Sequence, residues 1–454
     1  MNADTPELNT LIAEATRLHE TGRLDEAARV YRAALAQTPQ HPAIMHNLGA
    51  IAASQGDYKA AIGYFDAALA RRPSYIAAHL HRAMAQQALG NSPEAIKSYG
   101  FVCQLDPAHY GAHRALGFLW LAEGQRGRSL DHFARTYDLR RGEDRTNIAV
   151  KSMTQATRDK LQHDAEQFRF LAERGRSQTR FTELAQRYGT IAKNFATEPS
   201  ELSEQQIGEL GSGYNGPINR YDAPERTDKT VAERADRDLI IKAFDESRTA
   251  AAVLDDFLTP AALHSLRSYL LCSTVWHDFT HIPGFVASYL EDGLACPILL
   301  QIADEFRQAF PEILAGHPLS QAWAFKGLHG ASTIGAHADD AWVSLNFWVT
   351  PDSANLQPGA SGLSVCLEPP PDDWRMTDYG QDTNHSAHFM DQHESRLLKV
   401  PYRENRAVLF HSRLFHRSEA PLFAEGYENH RINLTFLYGS PSHADPETSF
   451  SAMP

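Results

Sequence analysis

The fold of the first third of this 454-residue chain is decided by the segment GRLDEAARVYRAALAQTP, residues 22–39, which returns 34 residues later as GDYKAAIGYFDAALARRP, residues 56–73. Glycine opens each segment, a small residue follows, then an aromatic one, and proline closes most of them. The recurring positions are Gly22, Gly56, Gly90 and Gly124; Ala27, Ala61, Ala95 and Ser129; Tyr31, Phe65, Tyr99 and Phe133; and Pro39, Pro73 and Pro107, with Arg141 in the fourth slot. One period shared by four columns indicates an internal repeat.

Each repeat unit has the features of two antiparallel helices. Glycine suits the turn between them because it tolerates a positive φ, and proline ends the second helix. With this pattern the chain resembles the tetratricopeptide repeat (TPR) family, whose unit is 34 residues. The resemblance covers residues 8–141 as four repeats, and it implies an α-solenoid whose concave face binds a peptide or a segment of another protein. The alternative is that the chain's own linker fills this groove.

The middle of the chain divides into helices and a connection. Apolar residues at helical spacing over 142–195, such as Leu161 and Phe168, predict helices that cap the repeats. Residues 196–238 are predicted to be a linker, because Gly, Pro, Ser and Asn are frequent in its first part.

Residues 239–445 form the last predicted domain. Thr259 and Pro260 are a typical N-cap and first-turn pair for a helix that reaches about Leu271. Another helix is predicted near Pro297–Phe310, and short strands follow at Trp342–Val349, Gly362–Leu367, Ala407–Phe410 and Ile432–Tyr438. Helices followed by many short strands predict a jelly roll buttressed by helices, so that the whole chain is a multidomain α + β protein.

The composition limits the classes of function. A hydrophobic share of 43% with 22% charged residues is ordinary for a globular protein. The net charge of −13 disfavours broad binding to nucleic acid or to an anionic membrane. The sequence has no apolar run long enough to span a bilayer, no signal-peptide pattern at its start, and four scattered cysteines. We therefore expect a cytoplasmic protein with no nucleic-acid or membrane partner.

Three features of the C-terminal part point to a metal centre. His337 and Asp339 lie two residues apart, so that both side chains of an extended segment face the same side. His416 could complete a set of two histidines and one carboxylate, which is the facial triad of non-haem Fe(II) oxygenases. Arg431 opens a strand whose alternate residues are polar, and a guanidinium there could hold a carboxylate by two hydrogen bonds.

The order of these motifs resembles that of the Fe(II)/2-oxoglutarate-dependent dioxygenases, over about residues 240–440. The strings that carry the resemblance are HAD at 337–339, NFWVTPDSANL at 346–356, NRAVLF at 405–410 and GYENHRIN at 426–433. The resemblance implies a double-stranded β-helix in which His337, Asp339 and His416 bind Fe(II) as the catalytic centre. It also implies that Arg431 pairs with the distal carboxylate of 2-oxoglutarate. Asn433 stands where many relatives place a serine two residues after the arginine, so the resemblance implies that it assists Arg431. Asn346 and Lys326 are further cosubstrate candidates.

Two histidine assignments are left open by the sequence. His411, at the end of the strand before His416, is the rival for the third ligand. His385, His388 and His393 form either a second metal site or a solvated lid over the cavity.

The expected function is a hydroxylase that acts on a peptide or protein recruited by the repeats. One alternative is a TPR scaffold whose jelly roll is catalytically idle. The other is an oxygenase that acts on a small molecule.

Overall fold

The structure is a computed structural model that describes residues 6–142, 151–246, 250–328, 331, 333–371, 374 and 383–439. The chain divides into two compact units, with the boundary between Trp120 and Leu121. The first unit is helical and the second is rich in β-sheet, which confirms the mixed α + β class.

The repeat region consists of helix pairs that follow the 34-residue period. The helices are α1 (Pro6–Glu20), α2 (Leu24–Gln37), α3 (Pro42–Ser54), α4 (Tyr58–Arg71), α5 (Ile76–Ala88), α6 (Ser92–Leu105), α7 (Tyr110–Ala122) and α8 (Arg126–Arg141). The glycine of each pair lies in the turn and has a φ between 70° and 79°. A side chain there would be strained, which explains the glycine column.

The small and aromatic columns form the core of the repeats. Ala27, Ala61 and Ala95 are completely buried, and so are Tyr31 and Phe65. A fully buried alanine leaves room for the neighbouring helix, and the aromatic ring fills the remaining space. Gly49 lies against the Phe65 ring, where a Cβ atom would come within 2.6 Å of that ring.

Helix α8 belongs to the second compact unit, although its sequence places it in the last repeat. Its Arg141 forms two hydrogen bonds with Asp292, of 2.6 and 2.5 Å. Its Tyr137 contacts Nε2 of His277 at 2.7 Å. These buried polar contacts join α8 to the residues that follow it, which explains why α8 falls in the second compact unit.

The predicted capping and linker segments are packed parts of the second unit. They contain α9 (Arg158–Glu173), α10 (Gln178–Ala192) and α11 (Glu204–Leu210), with β1 (Gln155–Ala156) paired to β2 (Ser200–Glu201). Gln167 of α9 donates to the carbonyl oxygens of Leu271 and Ser273. Thr230, inside the predicted linker, is fully buried. Polar contacts with later residues hold this segment in place, so it is not a free connection.

The rest of the second unit contains helices around two sheets. The helices are α12 (Arg237–Glu246), α13 (Pro260–Cys272), α14 (Pro297–Ala309), α15 (Pro311–Leu314) and α16 (Thr383–Gln392). The strands are β3 (Ala251–Leu254), β4 (Phe285–Tyr289), β5 (Leu319–Gly327), β6 (Val343–Trp348), β7 (Leu363–Cys366), β8 (Leu397–Val400), β9 (Ala407–His411), β10 (His416–Ser418) and β11 (Ile432–Tyr438). The hydroxyl of Thr259 caps α13 as predicted. The predicted bound at residue 445 lies outside the described residues, which end at Gly439.

The strands form a large and a small antiparallel sheet. The large sheet has the order β3-β9-β6-β11-β5-β4, and the small sheet has the order β10-β7-β8. We call the face of the large sheet that carries Ser344, Asn346 and Trp348 the inner face. Val408 and Phe410 of this face pack in one apolar cluster with residues of β7 and β8. The opposite, outer face packs on helix α14, with the Tyr438 ring 5.9 Å from that of Phe306.

Candidate metal centre

Three side chains predicted to bind a metal lie together in the structure. His337, Asp339 and His416 each offer one ligand atom, and these atoms all lie within 4.8 Å of one another. The closest approaches to the carboxylate are 3.9 Å from Nε2 of His337 and 3.6 Å from Nε2 of His416. Within the described ranges this is the one group of three or more potential ligands.

Backbone pairing brings the two histidines side by side. The N–H of His337 donates to the carbonyl oxygen of His416 at 3.0 Å, and the reverse bond is 2.9 Å long. The N–H of Asp339 donates to the carbonyl oxygen of Ser412 at 2.9 Å. These three bonds close the distance between segments that are far apart in the sequence, so the site depends on strand register.

Each imidazole is oriented by a carbonyl group on its other nitrogen. Nδ1 of His337 lies 2.8 Å from the Gly335 oxygen, and Nδ1 of His416 lies 3.1 Å from the Leu414 oxygen. A carbonyl oxygen only accepts, so each Nδ1 carries the proton and each Nε2 presents a lone pair. This is the arrangement that metal-binding histidines usually have.

The surroundings keep His416 neutral. Burial lowers the pKa of His416 to about 4, and the nearby His337 ring acts in the same direction. The imidazole therefore needs no deprotonation near neutral pH before it can donate its lone pair.

Arg431 is buried without an ion-pair partner among the described residues. Its guanidinium carbon lies 5.8 Å from the centre of the Trp348 ring. Its Nη1 donates a long hydrogen bond of 3.4 Å to the carbonyl oxygen of Glu419. Its Nε has no hydrogen-bond partner in the part of the chain that the structure describes. Burial lowers the pKa of Arg431 to about 10, which leaves it charged at neutral pH. A buried cation with an unused donor fits an anionic group.

A polar row runs along the inner face beside Arg431. Register places Asn433 opposite Trp348 and Thr435 opposite Asn346. The Thr435 hydroxyl donates to Oδ1 of Asn346, and Nδ2 of Asn433 lies 3.4 Å from the Thr435 hydroxyl. The sequence-predicted Asn346 and Asn433 therefore share one face with Ser344, which contacts the metal-centre carboxylate.

Lys326 lies away from this site. It is paired with Ile432, the strand neighbour of Asn433, and therefore lies on the outer face. Its Nζ lies 3.2 Å from the centre of the Tyr427 ring and is completely buried. The structure therefore does not bring Lys326 to the face of the sheet that carries Asn433.

His411 also lies on the outer face. It is the last residue of β9 and pairs with Val343, and its ring contacts those of Phe244 and Trp342. Because successive side chains of a strand alternate, Phe410 faces inward and His411 faces outward. His416, after the following turn, is the histidine that joins the ligand group.

The histidines of the 385–393 segment do not form a second group of three ligands among the described residues. His385 packs on Trp374, and His388 contacts the side-chain amide of Gln392. Phe389 and Met390 of α16 belong to an apolar cluster with Ala336 and Ala338, the two neighbours of His337. Helix α16 thus covers one side of the metal centre, through apolar contacts.

Two contributors to the site were missed by the sequence analysis. Ser344 donates to Oδ2 of Asp339 at 2.6 Å, and its oxygen lies 2.8 Å from that of Ser412. Alternation along β6 would have placed Ser344 on the same face as Asn346. Nothing in the sequence marks its contact with Asp339, which comes from another segment.

Comparison with known proteins supports the N-terminal assignment. A family model described as a tetratricopeptide repeat matches residues 12–76, which confirms TPR repeats at the N-terminus. Such repeats suggest protein partners. No curated protein matches the chain. The structure describes no helix long and apolar enough to cross a membrane.

Several solved structures are similar to part of the chain. A MamA crystal structure is 18% identical, covering 28% of this chain and 75% of MamA, with a TM-score of 0.28. A tetratricopeptide repeat protein from Parabacteroides merdae is 21% identical, covering 32% of this chain and 56% of that protein, with a TM-score of 0.29. Scores this low support no argument about function.

Proposed function

We propose that this protein is an Fe(II)- and 2-oxoglutarate-dependent dioxygenase that hydroxylates a peptide or protein recruited by its N-terminal repeats. The observation that carries the proposal is the meeting of two imidazoles and one carboxylate within 4.8 Å. The buried Arg431, with an unused Nε donor among the described residues, supports it.

The order of the strands supports a double-stranded β-helix. From β5 onward the chain passes between the sheets: β5 and β6 lie in the large sheet, β7 and β8 in the small one, then β9, β10 and β11 alternate. The bridge between His337 and His416 adds a further extended segment beside β10. Passage of the chain between two antiparallel sheets is what a jelly roll requires.

The donor set fits Fe(II). Two histidines and one carboxylate bind one side of such an ion and leave the remaining positions open. Bound Fe(II) and 2-oxoglutarate supply the chemistry, in which O₂ is consumed, 2-oxoglutarate becomes succinate and CO₂, and a substrate C–H bond is hydroxylated. Arg431 holds the distal carboxylate of 2-oxoglutarate, and Asn433 and Asn346 offer amide groups along the inner face. The protein thus binds, orients and shields the reacting groups.

The proposal is tested by adding Fe(II) and 2-oxoglutarate without oxygen and recording the visible charge-transfer band of the chelate. The wild-type protein is expected to give the band. Asp339→Ala and His416→Ala are expected to lose it, while His411→Ala, the matched control, is expected to keep it. Circular dichroism establishes that each variant is folded.

Arg431→Ala is expected to weaken 2-oxoglutarate binding in the same titration while Fe(II) still binds. Absence of the band in the folded wild-type protein would overturn the proposal and favour an interaction scaffold with an idle barrel. A band without protein hydroxylation, but with turnover of a small molecule, would favour the small-molecule alternative.

A further inference from the structure

We propose that Ser344 and Ser412 are positioning residues that hold Oδ2 of the Asp339 carboxylate by a hydrogen bond and thereby favour binding of the metal through Oδ1. This inference rests on the proposed Fe(II) centre. It assigns a role to two buried hydroxyl groups that lie outside the ligand set.

Both serines are completely buried. Ser344 lies on the inner face of β6, and Ser412 directly follows β9, the neighbouring strand. A buried hydroxyl is costly unless it is hydrogen-bonded. Each of these hydroxyls has a partner, and the chain of partners ends at Asp339.

The direction of the hydrogen bonds follows from the chemistry of the groups. An ionised carboxylate only accepts, so the single hydroxyl proton of Ser344 points to Oδ2 of Asp339, at 2.6 Å. Ser344 has no second proton to give. The 2.8 Å contact with Ser412 is therefore a bond that Ser412 donates to the Ser344 oxygen.

Asp339 is also anchored through its backbone. Its N–H donates to the carbonyl oxygen of Ser412 at 2.9 Å. Ser412 thus binds the backbone of Asp339 directly, and its hydroxyl is linked to the Asp339 carboxylate through Ser344. With the backbone fixed and Oδ2 held, Oδ1 is the oxygen left without this hydroxyl contact. It lies 3.9 Å from Nε2 of His337, and the hydrogen-bonded Oδ2 lies 3.6 Å from Nε2 of His416.

The consequence is a carboxylate that binds through one oxygen. If both oxygens bound the ion, they would take one of the positions that 2-oxoglutarate and O₂ require. A hydrogen bond from a neighbouring hydroxyl to one oxygen opposes this and also fixes the carboxylate plane. The serine pair thereby preserves the open positions of the centre.

The test measures binding of Co(II) alone, as a stable substitute for Fe(II), by calorimetry and visible absorption. Ser344→Ala is expected to weaken Co(II) binding by about 10- to 100-fold. It is also expected to change the visible bands of bound Co(II), because the released oxygen can join the coordination. A purely structural role for the serine would leave those bands unchanged.

Ser412→Ala is expected to have a smaller effect in the same direction. The double variant should match Ser344→Ala, because Ser412 acts on the carboxylate side chain only through Ser344. Ser288→Ala is the matched control, since Ser288 is a buried strand serine on the outer face. It should leave Co(II) binding and the spectrum unchanged.

The outcomes separate this inference from the proposed function. If the wild-type protein binds no Co(II), both are wrong. If the wild-type protein binds Co(II) and folded Ser344→Ala binds it equally well with the same spectrum, the positioning role is wrong and the metal centre stands. If Ser344→Ala does not fold, Ser412→Ala decides: unchanged affinity and spectrum would overturn the inference.

Discussion

Lys326 is a buried lysine whose charge has no close carboxylate partner among the described residues. Its Nζ has no hydrogen-bond partner there and lies against the faces of the Tyr427 and Trp276 rings. Burial lowers the pKa of Lys326 well below its usual value, although Glu166 opposes this shift. Because its folded pKa is depressed, the protonated lysine is less favourable in the folded chain than in the unfolded chain, and this difference opposes folding below the unfolded pKa.

Replacing this lysine by an apolar residue of similar shape should stabilise the protein. For Lys326→Met we expect the free energy of unfolding at pH 7 to rise by at least about 1 kcal/mol, since one pKa unit corresponds to about 1.4 kcal/mol. Urea denaturation monitored by fluorescence measures this change. Lys399→Met, at an exposed strand lysine, is the control and should shift stability little.

The pH dependence gives this prediction its sign. Because the folded pKa of Lys326 is depressed, wild-type stability is lost as pH falls and gained as pH rises toward the unfolded pKa of about 10.4. The advantage of Lys326→Met should therefore shrink between pH 7 and pH 10. An advantage that stays constant or grows over this range would mean that the folded pKa of Lys326 is not depressed.

Helix α8 shows how an element can follow one sequence pattern and pack with another part of the chain. Its Ser129 and Phe133 occupy the repeat columns and are buried. Its last turn carries Arg141, which is itself buried and paired with Asp292 of the turn after β4. Burial alone would raise the pKa of Asp292, but the Arg141 guanidinium lowers it overall.

Removing the negative charge of Asp292 should lower the free energy of unfolding of the second unit. Asp292→Asn leaves the Arg141 guanidinium buried without its counter-ion, and we expect a loss of about 3–5 kcal/mol. Thermal unfolding followed by circular dichroism measures it. Asp138 lies on the same helix and forms an exposed pair with Arg220, so Asp138→Asn should cost at most about 1 kcal/mol. Equal losses of stability in the two variants would show that the buried pair contributes no more to the free energy of unfolding than the exposed pair.

The charge of the whole molecule restricts its partners. The chain has 43 basic and 56 acidic residues, a formal net charge of −13. Binding to nucleic acid depends on neutralising phosphates, which a strongly acidic protein does poorly. The TPR match supports protein partners in their place.

We therefore expect no binding to a labelled DNA duplex or RNA hairpin at micromolar protein and low salt, measured by fluorescence anisotropy. A basic peptide serves as the positive control for the probes. Salt-dependent binding by this protein in the micromolar range would contradict the argument from charge.

The sequence by itself determined the features that depend on local chemistry. The glycine, alanine and aromatic columns specified the helix pairs. The positive φ of the turn and the small side chain between the two helices are both required within a single repeat unit, so each unit shows them in its own sequence. Thr259 and Pro260 marked the start of α13, and the strand Ile432–Tyr438 was predicted with its observed bounds. The residues of the candidate ligand group, two histidines and one aspartate, were recognisable by their type and order along the chain.

Only the tertiary structure decided which residues meet. His416 and not His411 joins the ligand group, because strand alternation turns His411 outward and a turn carries His416 to the other sheet. Lys326 lies on the outer face because it pairs with Ile432, whose side chain points away from the inner face. The contacts of Ser344 with Asp339 and of Arg141 with Asp292 join segments far apart in the chain. No local pattern encodes such contacts, because they form only when strand pairing and helix packing bring the segments together.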